Sequence, residues 1–250
     1  MAPGAVTTAR ARALFAPLDA GRRAETVARR LVQAITLGLL LDGERLPAES
    51  ELADQFGVSP VTLRGALATL RAMGLVRTRR GRGGGTFVCA PDEPRPAQLE
   101  GMLTLLSAHE LRDIGDNRAA IAGGAARLAA ERALPTDISA LGEHAARLRC
   151  AGSVTERRRA DARLHMEIAA AAQSPRLVRA EMELWSEIGD LVWLPAVSAG
   201  DVAAIEAEHD ELLTAIASQR AELARDLAER HVLRETERLL ALRLRLAQTC

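Results

Sequence analysis

Tyrosine is absent, and aromatic residues together make up only 2% of the 250-residue chain. A core so poor in aromatics must be built from Leu, Ala, Val and Ile, which favours many packed helices over a sheet. Cysteine is scarce too. Cys89, Cys150 and Cys250 lie far apart with no CxxC, which argues against a disulfide framework or a thiolate zinc site. No apolar run approaches the ~20 residues that cross a bilayer, so no integral membrane protein is expected and no membrane partner. The N-terminus, MAPGAVTTARARALFAPLDAGRR, lacks the charged-then-apolar order of a signal peptide. These absences lead to the expectation of a reducing, cytoplasmic setting. Hydrophobic residues at 48% and charged residues at 26% fit a folded globular chain of one large or two ordinary domains.

Net charge is absent as well, but the zero hides an asymmetry. Residues 1–90 hold 13 Arg against 7 acids, and residues 91–250 hold 20 Arg against 26, so a basic third with net +6 precedes an acidic remainder with net −6. That division points to two domains, the first facing a polyanion. Between them, Cys89-Ala-Pro-Asp-Glu-Pro-Arg-Pro-Ala-Gln98 carries three prolines in ten residues. It reads as a linker, because alternate prolines continue neither a helix nor a central strand. The expected organisation is a flexible segment over 1–20, a DNA-binding domain over 21–88, a linker over 89–98 and an all-helical domain over 99–250.

The basic part has the signals of a winged helix-turn-helix. Val27, Leu31, Ala34/Ile35 and Gly38/Leu39 recur at helical spacing over 22–40, and Asp42-Gly43 ends that helix. Leu46-Pro47-Ala48-Glu49-Ser50-Glu51-Leu52-Ala53 forms a short helix with an acidic first turn, closed by Gly57. Ser59 then caps a third helix whose first residue is Pro60. Its apolar face is Leu63, Ala66, Leu67 and Leu70, while Val61, Thr62 and Arg64 turn away. Two helices joined by a short Gly-containing turn are the unit whose second helix enters the major groove. Leu75–Thr78 and Thr86–Val88 alternate as two strands around Arg79-Arg80-Gly81-Arg82-Gly83-Gly84-Gly85, where glycines permit a tight turn and arginines supply phosphate or minor-groove contacts. The same run is not a nucleotide-binding loop, since it lacks GK[ST] and opens no helix.

The stretch LPAESELADQFGVSPVTLRGALATLRAMGLVRTRRGRGGGTFV resembles the winged helix-turn-helix of GntR-family bacterial transcription regulators, over 22–88 nearly end to end. The resemblance implies double-stranded operator DNA as partner and assigns DNA contacts to Ser59, Val61, Thr62, Arg64, Gly81 and Arg82. Two arginines common in that family are replaced by Ser50 and Pro60, and the wing carries two extra glycines. One recognition helix covers only a half-site, so a homodimer is expected.

The acidic part reads as seven helices, near 98–108, 110–132, 137–150, 154–173, 176–194, 201–218 and 221–246. Prolines 135, 175 and 195 and Gly200 punctuate them, with Pro135-Thr136-Asp137 and Ser174-Pro175 as helix starts. Asp161 and His165, at i and i+4, project from one helix face. His209 and His231 are equidistant from Arg220 in the polar turn between the last two helices, so in an antiparallel pair they stand at one height. Three imidazoles and one carboxylate then suit a divalent metal ion such as zinc or nickel. His109 and His144 have no such company, and Arg157-Arg158-Arg159 reads as a solvated helix face.

D-x-x-x-H, then E-H-x-x-[LI]-x-x-A-[IL], then a histidine 22 residues later is similar to the FCD effector domain of FadR-type GntR regulators. That resemblance implies metal ligation by Asp161, His165, His209 and His231 and a small carboxylate effector completing the coordination. It also implies an effector-binding role for Arg118, whose guanidinium fork suits a carboxylate. Ala122 and Gly123-Gly124 stand where the family has an acidic start, which predicts a larger or differently shaped pocket. The leading expectation is a ligand-responsive regulator, a repressor and not an enzyme. The alternatives are a hydrolase-like enzyme using metal-activated water, and a sensor of the metal ion itself. Glu167 and Glu208, the nearest general bases, lie two residues and one residue from a ligand, so helical pitch turns them about 200° and 100° away from the metal face.

Overall fold

A computed structural model describes residues 23–91, 95–194 and 198–249. The expected flexible segment 1–20, Pro195 and Cys250 lie outside the described residues. The chain divides into two compact units, one ending at Asp92 and the other beginning at Glu93. The fold is mainly helical, with a winged helix-turn-helix followed by an all-helical unit.

In the first unit α1 is Arg23–Thr36, α2 Glu49–Phe56, α3 Pro60–Ala72, β1 Val76–Arg79 and β2 Gly85–Val88. Helix α1 ends sooner than the apolar pattern predicts. Gly38 adopts φ 66° and the Leu40 N–H turns back to the Ala34 carbonyl, while Leu39 stays buried without being helical. The apolar period continues past the helix because its residues still face the core. Helix α2 closes at Gly57, φ 62°, and Ser59 caps α3 by accepting from the Thr62 N–H at 3.1 Å. The core joins Val27, Leu31 and Ile35 of α1, Phe56 of α2 and Leu63, Leu67 and Leu70 of α3. The strands pair antiparallel, Val76 opposite Val88 and Arg79 opposite Gly85. Residues 43–46 run along the other edge of β2 through Gly43, Leu46 and Val88 main-chain bonds.

The second unit comprises α4 (Pro96–Leu105), α5 (Ala108–Arg132), α6 (Pro135–Arg149), α7 (Val154–Ala171), α8 (Pro175–Val192), α9 (Ala199–Ala217) and α10 (Ala221–Thr249). All seven expected helices are present. Pro96 opens α4 rather than belonging to an extended joint, since proline at the first helical position loses nothing. Gly200 sits inside the first turn of α9, because Ser198 and Asp201 cap that helix reciprocally and start it earlier. Serine–acid pairs likewise start α5 (Ser107, Glu110) and α7 (Ser153, Glu156). The long helices α5 and α10 pack along each other, and α6, α7 and α9 complete the main core around Ala126, Leu141, Leu164, Ile205, Leu212 and Val232.

Small residues on α5 set how closely α10 approaches. A methyl group at Gly115 would collide with the buried Thr236 side chain, whereas one at Gly123 would meet only the flexible, half-exposed Glu229. Gly115→Ala is therefore expected to destabilise the second unit by about 1–3 kcal/mol. Gly123→Ala should be close to neutral, because Glu229 swings aside and alanine favours the helix. Thermal unfolding of the two variants checks the difference. Gly115 thus serves to seat α10 against α5.

Candidate functional site

Four side chains converge inside the second unit. Asp161 and His165 come from α7, four residues apart, His209 from α9 and His231 from α10, all at most 4% exposed. The α9–α10 hairpin turns at Gln219, φ 56°, and brings the His209 and His231 rings to 4.4 Å between centroids. One ring nitrogen from each of the three histidines lies within 4.8 Å of the other two, a grouping able to hold a metal ion. Asp161 Oδ1 is 3.3 Å from His209 Nε2 and 3.7 Å from His165 Nε2, and those two nitrogens are 3.4 Å apart. Oxygen and nitrogen lone pairs crowd one small volume.

The far side of three of these groups is held in place. Trp193 Nε1–H donates to Asp161 Oδ2 at 2.8 Å, and His231 Nδ1 lies 2.7 Å from Glu208 Oε2. Glu181 Oε1 lies 3.7 Å from His165 Nδ1. A proton on His231 Nδ1 facing Glu208 leaves the Nε2 lone pair aimed inward, as carboxylate partners arrange around ligating imidazoles. Asp161 Oδ1 and His231 Nε2 are buried without a hydrogen-bond partner. Burial raises the Asp161 carboxyl above its ordinary range, against the pull of His165. Burial, with His231 and His165 nearby, holds His209 well below the usual imidazole range. Burial pulls His165 down as well, but the nearby Glu181 and Asp161 carboxyls outweigh that and raise it.

Arg118 on α5 is 1% exposed, with its Nη2 3.0 Å from Glu235 Oε2 and its guanidinium 5.0 Å from the Trp185 ring. The expected carboxylate clamp already holds a carboxylate of its own chain. Glu235 is the residue that reading along the sequence missed, although the signal was present: it stands four residues after His231, on the same face of α10. Glu181 and Trp193 gave no such signal. Glu208, weighed as a general base, instead orients His231 and pairs outward with Arg234 at 2.8 Å. His109 is exposed and His144 half-buried, both away from the cluster. The arginine run is not a solvated face: Arg158 is buried and pairs with Asp190 at 3.3 Å, because α7 packs between α6 and α8.

In the first unit Ser59, Val61, Arg64, Gly81 and Arg82 are exposed and Thr62 is half-exposed. Val61 is 73% exposed, unusual for valine at the start of a helix. Thr62 Oγ1 lies 2.9 Å from Ser59 Oγ, and Arg64 is 4.0 Å from Glu49. Gly81 and Gly83 take φ of 94° and 81° at the wing tip. Arg77, Arg80 and Arg82 are exposed with no carboxylate partner among the described residues, and Arg79 stacks over Phe87 at 5.0 Å.

A basic winged helix-turn-helix followed by a helical unit with a buried histidine centre defines a DNA-binding regulator. Residues 23–88 match the model of bacterial regulatory proteins of the gntR family, and residues 113–234 match the FCD domain. A putative HTH-type transcriptional regulator, RmpR, of Mycobacterium gastri is 42% identical over 233 residues, covering 92% of this chain and 85% of the relative. The uncharacterized HTH-type regulator Rv0494 of Mycobacterium tuberculosis is 36% identical over 51% of this chain and 52% of its own length. A probable fructoselysine utilization operon repressor of Escherichia coli is 41% identical over 63 residues, 25% of each chain. The structure of E. coli McbR/YncC superposes with a TM-score of 0.52 at 20% identity, over 88% of this chain and 97% of that one. The chain belongs to the GntR family of bacterial transcriptional regulators, with an FCD domain, and is a DNA-binding regulator rather than an enzyme. No helix among the described residues is long and apolar enough to cross a membrane.

Proposed function

We propose that this regulator is a cytoplasmic repressor that binds operator DNA as a homodimer and responds to a small organic acid at a metal-centred site. Asp161, His165, His209 and His231 hold one divalent ion, with zinc or nickel best suited to three imidazoles and a carboxylate. The observation that carries this is the convergence of buried lone pairs, with Asp161 Oδ1 and His231 Nε2 unpartnered. Charge supports it. Asp161, Glu181 and Glu235 are all buried around the histidines, and Arg118 pairs with Glu235, so the lining favours an added positive charge. When bound, the ion supplies that charge and an open position for an acid. Arg118 keeps a buried, unpartnered Nη1 as a second anchor.

The protein's part is to transmit occupancy. The ligand set spans α7, α9 and α10, so an acid seated there ties three helices together, and it shifts DNA affinity only by binding two dimer arrangements unequally. The proline-rich 89–98 region joins the two domains. In thermal-shift titrations, candidate acids are expected to stabilise metal-loaded protein and leave chelated protein unchanged. Equal shifts in both forms would sink the metal-centred reading, and a monomeric sedimentation mass at micromolar concentration the dimer.

Ser59, Val61, Thr62, Arg64, Gly81 and Arg82 form the DNA-contacting set, supported by their exposure on α3 and the wing. Arg64→Ala is expected to weaken specific binding by about 1–3 kcal/mol if it reads a base. Arg82→Ala is expected to weaken binding to all sequences alike and reduce the salt slope by about one. Operator titrations at several salt concentrations distinguish the two.

A further inference from the structure

The Glu235 carboxylate bridges two features that the proposed acid effector would use. Its Oε2 is clamped by Arg118 at 3.0 Å, and its Oε1 lies 3.5 Å from His231 Nε2, one of the inward-facing nitrogens. Glu235 is 2% exposed, and that Oε1 has no hydrogen-bond partner. A buried carboxylate oxygen left unpaired costs free energy unless a cation or donor meets it. Arg118 meets only the other oxygen.

We propose that Glu235 is a fifth, chain-supplied ligand of the metal ion, and that it stands where an effector carboxylate would bind. This rests on the four-ligand reading above and adds to it. A carboxylate held by an arginine on one oxygen and facing a metal site with the other has the chemistry of a bound organic acid. An incoming acid therefore competes with Glu235, both for the ion and for the guanidinium, rather than replacing only water. Displacing Glu235 also frees a side chain of α10 from its tie to Arg118 of α5, so effector binding acts on the packing of the two longest helices.

The test uses full-length protein loaded with cobalt(II), whose d–d absorption strengthens as the coordination number falls to four. Wild-type protein is expected to give the weak spectrum of a site with five or more ligands. Glu235→Ala should shift it towards the four-ligand form and weaken cobalt affinity ~10–100-fold, the scale on which even outer carboxylates matter. Added acetate should then restore the wild-type spectrum in Glu235→Ala, and should do so at lower concentration than any acetate effect on wild type. Glu235→Gln, which keeps the shape but is a poor ligand, should behave like Glu235→Ala and guards against a folding defect. A strong four-ligand spectrum in wild type overturns the proposal. So does an unchanged spectrum and affinity in both variants, or a changed one that acetate does not restore. Cobalt binding by wild type in any of those cases leaves the four-ligand reading standing. Failure of wild type to bind cobalt, zinc or nickel overturns both.

Discussion

A His209→Ala/His231→Ala protein is expected to purify with less than stoichiometric metal and to lose its metal-dependent stabilisation. Two of three imidazoles vanish, and Asp161 and His165 alone make a two-donor site on one helix turn. Metal present at a hundred times its dissociation constant contributes about 2.7 kcal/mol to the native state. For a unit of this size that corresponds to a rise of roughly 5–11 °C in Tm, expected in wild type on adding zinc and absent in the variant. Elemental analysis with paired thermal scans measures it, and full metal retention would show the site misassigned. Acid works in the same direction. Imidazole must be neutral to coordinate, so occupancy should fall as pH drops below ~6. In metal-free protein His209 titrates well below its unfolded value, so the unfolded chain takes the proton first and this group's contribution to stability falls as pH drops through ~6.5. His165, raised in the fold, contributes stability that is fully present below ~6.5 and is lost as pH rises through its folded value, so it changes in a different window from His209.

Arg118→Ala is expected to be the most damaging single substitution in the metal-free protein, at about 3–5 kcal/mol. Removing one partner of a buried ion pair leaves the other charged group without compensation. Arg118 and Glu235 are 1% and 2% exposed, so water does little to compensate the carboxylate left behind. Arg118→Ala/Glu235→Ala should be milder than Arg118→Ala alone, because the orphaned carboxylate is gone. Chemical denaturation of the four proteins, after chelation, forms the double-mutant cycle. Strict additivity would mean that the 3.0 Å pair contributes no coupling.

Much of this molecule was legible locally. Helix starts follow from Ser59-Pro60 and Ser174-Pro175, whose side chains and fixed φ act within three residues. The Asp161–His165 pair follows from helical pitch alone, and His209 with His231 from their symmetry about one turn. Each inference needed only a short stretch of backbone and a single element or hairpin. Where local pattern misled, a second physical effect intervened. The apolar period of α1 runs on through Leu39, but Gly38 takes the left-handed conformation and stops the helix. Arg158 lies in a run of charges and yet is buried, because Asp190 of the next helix supplies its partner.

What the sequence by itself determined was the set of elements, the two-unit composition and the spacing of four candidate ligands. All of these depend on periodicity, capping and turn chemistry, which act over a few residues. Only the tertiary structure decided that Arg118 faces Glu235, 117 residues away, that Trp193 holds Asp161, and that Gly115 makes room for Thr236. Those contacts depend on which faces of separate helices meet and at what height. A one-residue shift on a helix turns a side chain by about 100°, so rotation and register between distant helices are set by packing of the whole core.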